Sequence, residues 1–235
     1  MTFSDSMTLA VVGDRLHAEL GVNFIALSEA DNRLPPTPVM LLGDISAKTM
    51  RSYYSRHHIW QQGVYSVENA TLLGAWGVIA GGGEWLSFPR ANIHELYTRR
   101  IAAEHPHAAS DLREIRIEEP VALIAGPGYR VYGHWLSDFL PKLFLLARAG
   151  FDLKTLKIAL PADTPGFGST WLRLMGIPDS SIIRFDTQTE KLRCASLLVP
   201  TTLHNGVRCA PILREASRFL TERLNLADRP SLTGR

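Results

Sequence analysis

Pro120-Val121-Ala122-Leu123-Ile124-Ala125-Gly126-Pro127-Gly128-Tyr129-Arg130-Val131-Tyr132-Gly133-His134-Trp135-Leu136-Ser137-Asp138-Phe139-Leu140-Pro141-Lys142-Leu143 is the stretch whose reading decides the fold. Residues 120–125 form a short apolar run of strand length, and Gly126-Pro127-Gly128 punctuates it as a loop. A helix is then expected from about Gly133 to Ala149. Trp135, Phe139 and Leu143 recur at four-residue steps, with Leu136, Leu140 and Phe144 beside them. This is a broad apolar face made to pack on a sheet. Trp135 shares that face with Phe139 and is read as core. Pro141 breaks the pattern, because it cannot donate to the carbonyl of Ser137, and a kink costing about 3 kcal/mol is expected there.

Downstream, strands and helices keep alternating. Leu156–Leu160, Ile182–Phe185 and Ser196–Val199 read as strands. A helix carries Trp171, Leu172, Leu174 and Met175, with Ser169 or Thr170 as its expected cap and Gly176 and Pro178 as its stop. Residues 211–226 place Leu213, Ala216, Phe219, Leu220 and Leu224 on one helical face. Such alternation argues for a parallel, Rossmann-like sheet.

Upstream the pattern differs. Leu9–Val12 and Val22–Leu27 are short apolar runs, and Pro35-Pro36-Thr37-Pro38 is a stiff break. Val39–Leu42 suits a strand, and residues 46–62 have helical character. Residues 63–88 read as β: Val64 to Asn69 alternate with a period of two, Ala70 to Ala80 is apolar, and Gly81-Gly82-Gly83 is hairpin punctuation. Residues 91–105 suit an amphipathic helix. The charged stretch 112–119 is the expected boundary between an N-terminal α+β region, 1–115, and a Rossmann-like lobe, 116–235.

Composition sets outer limits. The 235 residues are 46% hydrophobic and 20% charged, ordinary for a globular chain. A net charge of +2, with no Lys/Arg run, gives no reason to expect a nucleic-acid partner. Two cysteines, Cys194 and Cys209, make no disulfide framework. With no signal-like N-terminus and no apolar run of about 20 residues, a cytoplasmic protein is expected. Peripheral membrane association would then need a partner or a surface patch.

The chemistry concentrates in the opening stretch. His134 and Asp138 stand four apart on the helix, so their side chains are neighbours. They follow a strand and a glycine loop, where open α/β sheets bind ligands. A carboxylate beside an imidazole can orient it and raise its basicity, which makes a general base. The same spacing also occurs on solvated helix starts with no chemistry attached. Arg130 at the helix start could meet a phosphate or an acidic sugar, and His204, after a strand end, could line the same cleft. The other motifs are weaker. Triple glycine lacks the Gly-Lys-Ser/Thr of a P-loop, and the 126–133 glycines do not match Gly-x-Gly-x-x-Gly. His57-His58 has no third ligand, so no metal site is expected.

At these residues the chain resembles glycosyltransferase family 61, the group that includes capsular-polysaccharide biosynthesis proteins. That family's hallmark is aromatic-x-His-Trp-Leu-x-Asp-x-Leu-Pro-[Arg/Lys]-Leu, matched by Tyr132 to Leu143 including the helical proline. Weaker likeness covers Ala70–Phe88, Trp171–Ile177 and Leu197–Thr201, so that it extends over roughly residues 65–225. The resemblance implies a GT-B-type transferase with two facing Rossmann-like lobes. It moves a sugar from a nucleotide-sugar donor to a glycan acceptor hydroxyl with inversion, without a metal or other cofactor. His134 and Asp138 become the catalytic candidates, and Tyr129, Arg130, Tyr132 and His204 the substrate-binding ones. Family members continue past the position of Arg235 with a nucleotide-binding lobe. The expectation is therefore a truncated chain or a fragment, or one whose donor lobe comes from a partner chain. The alternative is a non-catalytic carbohydrate-binding or scaffold module.

Overall fold

The structure, a computed structural model, describes residues 8–13, 17–31, 58–105, 112–205 and 208–225. The Pro35–Pro38 break, the 39–42 strand and most of the 46–62 helix fall outside those residues, as does His57. Ten strands form one mixed sheet: β1 Leu9–Val11, β2 Val22–Ala26, β3 Gly63–Leu73, β4 Gly77–Ile79, β5 Trp85–Ser87, β6 Arg113–Ile117, β7 Val121–Ala122, β8 Lys157–Pro161, β9 Ile182–Phe185 and β10 Glu190–Pro200. Among the described residues four helices accompany it: α1 Glu95–Glu104; α2, running from Tyr132 to Arg148; α3 Gly166–Leu174; and α4 Leu213–Arg223.

The sheet runs β1-β5-β4-β3-β10-β7-β8-β9, with β2 also pairing β3 and β6 also pairing β10. Its spine is the antiparallel pair of β3 and β10, eleven residues each, in register from Lys191 opposite Leu73 to Pro200 opposite Val64. Beyond β10 the strands are parallel: β10 to β7, β7 to β8 and β8 to β9. The alternation of helix and strand over residues 121–185 thus forms the parallel block expected of it. The charged segment at 112–119 contains β6, which pairs with β10 from Arg113 opposite Glu190 to Ile117 opposite Cys194. The boundary segment is thus itself a strand of the sheet.

Alternation along the parallel strands sorts the core into two layers. Ala122, Ile124, Ile158, Leu160 and Leu198 face the helices and pack with Trp135, Leu143, Leu172 and Ala216. Val121, Leu123, Ala159, Leu197 and Val199 face the other way and meet Tyr65, Phe88, Ala91 and Ile93 from the N-terminal half. Helices therefore cover one face of the parallel block, and side chains from the N-terminal half pack with the other. Each fully buried aliphatic or aromatic side chain stabilises this arrangement by about 1.5–3 kcal/mol.

Four local expectations are corrected. Residues 58–62 are extended rather than helical, because Ile59 bridges Asp31 through main-chain hydrogen bonds. The first helix starts at Glu95, not Ala91, because Pro89–Ala91 forms a separate 3-10 turn closed by Asn92 in the left-handed region. α3 begins at Gly166 behind Pro165, so Ser169 and Thr170 do not cap it; Thr170 Oγ1 instead donates to the Gly166 carbonyl inside the helix. Pro141 is accommodated by a π-helical turn, Trp135–Phe139, between Tyr132–His134 and Leu140–Arg148. The Leu140 N–H reaches back to the Trp135 carbonyl. Widening the helix by one residue places the missing Pro141 donor opposite exposed Leu136.

Candidate functional site

Two parallel neighbours, β7 and β10, end side by side, and the chain order reverses between them: β8 and β9 lie beyond β7, on the side away from β10. Crevices at such carboxyl ends are where open α/β sheets hold ligands. From β7 the chain passes through Gly126-Pro127-Gly128 into α2. From β10 it passes through Thr201 and Thr202 to His204. The second exit is pinned from several sides. Thr201 Oγ1 donates to Gln62 Oε1 at 2.9 Å, and the Thr202 N–H donates to the Arg90 carbonyl at 2.8 Å. Asn205 Nδ2 donates to the His58 carbonyl at 3.0 Å, and Arg208 pairs with buried Asp31 at 2.6 Å.

These exits converge on one carboxylate. Asp138 Oδ2 lies 2.7 Å from His134 Nδ1, and Asp138 Oδ1 lies 2.7 Å from His204 Nε2. Ser137 Oγ also donates to Oδ1. The Asp138 side chain is 3% exposed, whereas His134 is 43% and His204 26% exposed. Burial by itself would raise the Asp138 carboxyl; the hydrogen bonds from His204, Ser137 and His134 outweigh it and hold the group well below the usual carboxylate range. An ionised carboxylate only accepts, so the ring nitrogens facing it carry the protons. In neutral His134 the lone pair is then on Nε2. The His134 ring rests on Gly128, where a Cβ would stand 2.6 Å from Cδ2 and 2.9 Å from Nε2. At φ +88° Gly128 also holds a backbone shape that favours glycine.

Below the cluster lies Lys142, 1% exposed. Its Nζ donates to the Ile124 carbonyl at 3.2 Å and sits 5.6 Å from the Phe139 ring centre. Burial pulls it down to about 8 from an ordinary 10.5, while the Asp138 charge pulls the other way.

Of the six residues singled out in the sequence, three meet here: His134, Asp138 and His204. Tyr129 and Arg130 meet instead at Asp163. Tyr129 Oη donates to Asp163 Oδ1 at 2.7 Å, and the Arg130 guanidinium pairs with Oδ2. Burial, reinforced by the hydrogen bond to Asp163, pushes the Tyr129 hydroxyl up to about 12. The Tyr129 carbonyl accepts from buried Trp135 Nε1 at 2.7 Å, so Trp135 is core, as its helical spacing implied. Tyr132 is half exposed and packs edge-on against Phe167 at 5.4 Å.

No protein-family model, no curated protein and no solved structure matches the chain.

Sequence reasoning passed over Ser137, Asp163 and Lys142. Lys142 left a usable signal: it stands four residues after Asp138, inside the otherwise apolar run Phe139–Leu146. A charge on a face otherwise reserved for core needs a partner. Among the described residues no cluster of metal-ligating side chains of three or more occurs, and no helix is long and apolar enough to cross a membrane. Cys194 is buried in β10, and burial pushes its thiol up to about 12, which keeps it protonated and unreactive.

Proposed function

We propose that the chain is a family 61-like glycosyltransferase, or the acceptor-side lobe of one, acting in polysaccharide synthesis. The observation that carries this reading is the buried Asp138 carboxylate gripping one histidine from each of two neighbouring strand ends. The parallel β10-β7-β8-β9 block supports its description as a Rossmann-like lobe of a GT-B-type enzyme, with N-terminal residues packed where a doubly wound sheet carries its second layer of helices.

His134 is the general base. Asp138 accepts from Nδ1, fixes the tautomer and stabilises the imidazolium that forms. Nε2 takes the proton of an acceptor hydroxyl as its oxygen bonds to the anomeric carbon of the donor sugar. The bond from that carbon to the nucleotide diphosphate breaks on the opposite face, and the diphosphate leaves with its electron pair. His204 donates to the second carboxylate oxygen and keeps Asp138 from rotating. The reading requires a nucleotide sugar and a glycan, and no resident cofactor.

The test is incubation with a panel of nucleotide sugars and oligosaccharide acceptors, scoring nucleoside diphosphate release and the extended glycan. Wild-type protein should release diphosphate, and His134→Ala should slow it by about 100- to 10,000-fold, the usual worth of a general base. Equal turnover by His134→Ala would remove the mechanism. Glycan binding with no diphosphate release from any donor would favour the carbohydrate-binding module instead.

A further inference from the structure

A cavity of about 320 Å³ lies beside the cluster, between the β3–β4 turn, the end of α1, the loop after β7 and the turn before β10. Trp76 and Tyr129 form its aromatic walls, their ring centres 6.2 Å apart and inclined at 65°. Ile101 extends the apolar surface, and Glu104, Arg130 and Gln188 carry polar groups around it. Gly128 lines this cavity and also supports the His134 ring. Gly128 thus links the cavity wall to the imidazole.

Size and charge narrow the occupant. Ligand sites span about 300–1,000 Å³, so this one suits a single ring and is small for a whole nucleotide sugar. A diphosphate would want an uncommitted cation. Among the described lining residues the permanent cation is Arg130, already paired with Asp163, while Glu104 is paired with Arg100 at 3.0 Å; His105 also lines the cavity, its buried Nε2 without a hydrogen-bond partner. The partly exposed Trp76 indole, braced edge-to-face on buried Tyr129, offers an apolar surface to the C–H face of a sugar ring. A carboxylate, a guanidinium and an amide offer the mixture of acceptors and donors that ring hydroxyls require.

We infer that this cavity is a subsite for one neutral pyranose unit, held next to His134. Its assignment as part of the acceptor rests on the transferase reading above; the pyranose binding does not.

The test is saturation-transfer NMR on the full chain with methyl glucopyranoside, methyl galactopyranoside and N-acetylglucosamine, using sorbitol and uridine as controls. At least one pyranose should receive saturation on its ring protons, and both controls should stay silent. Gln188→Trp should fill the cavity and weaken binding by about tenfold or more. The Gln188 main chain forms a turn on Asp186, and the side chain is exposed, so the fold should tolerate the change. Trp76→Leu should weaken binding similarly. Silence with all three pyranoses, a uridine signal in their place, or unchanged binding in both cavity variants would overturn the assignment. Pyranose binding by a protein that transfers sugar from no donor would keep the subsite and remove the transferase.

Discussion

Asp138 is a carboxylate that burial would neutralise and three neighbouring donors keep charged. Asp138→Asn should therefore lower diphosphate release by about 100-fold or more, since an amide no longer fixes the His134 tautomer. A His204→Ala variant should lose less, because the Asp138–His134 bond survives it. The same charge has a stability signature. A carboxyl held low in the folded state stabilises it above the ordinary carboxylate pKa, and that contribution is lost as pH falls towards the folded value. Urea midpoints between about pH 6 and pH 3 should thus fall more steeply for wild type than for Asp138→Asn. Parallel curves would show that the carboxylate is not held by its neighbours. Gly128→Ala puts a methyl into the His134 ring at a left-handed position. It should cost about 1–2 kcal/mol in chemical denaturation and reduce turnover by displacing the imidazole. The His134–Asp138 contact was legible because four-residue spacing on a helix fixes it locally. The His204 contact was not, because it spans 66 residues and depends on where β10 enters the sheet.

Within α2, the proline and the lysine belong to one solution. The π-helical turn admits Pro141, and the next residue, Lys142, is fully buried beneath Asp138. A lysine held at about 8 in the fold and 10.5 outside it binds fewer protons when folded, so stability rises with pH through that window. Cys194, pushed up to about 12, acts in reverse above its ordinary 9, and Tyr129 does so above 10. The rise should therefore be cleanest between about pH 8 and pH 9, and should be absent in Lys142→Met. Thermal melts of the two proteins across that interval check it; identical slopes would mean Lys142 is not the titrating group. The sequence showed that Pro141 had to be accommodated. It did not show how, because a kink and a widened turn both remove the same donor, and packing of Trp135 and Phe139 chooses between them.

For the molecule as a whole, the sheet joins what the sequence divided. Hydrogen–deuterium exchange should be slowest along β3 and β10, which are paired on both sides, and faster at the edges β1 and β9. Slowest exchange in α1 instead would mean that the spine is not the most stable unit. The parallel block was legible because each strand–helix step is local. The β3–β10 pairing was not, because alternation says that a strand exists without naming its neighbour. That pairing also sets a schedule for synthesis. Leu72 pairs with Leu192, so β3 leaves the ribosome 120 residues before its partner. At about 5–20 residues per second it waits roughly 6–24 s with one hydrogen-bonding edge open, dressed in Val64, Val67 and Leu72. A nascent chain in that interval is a substrate for chaperones and a hazard to its neighbours on the polysome, until the last strand closes the gap.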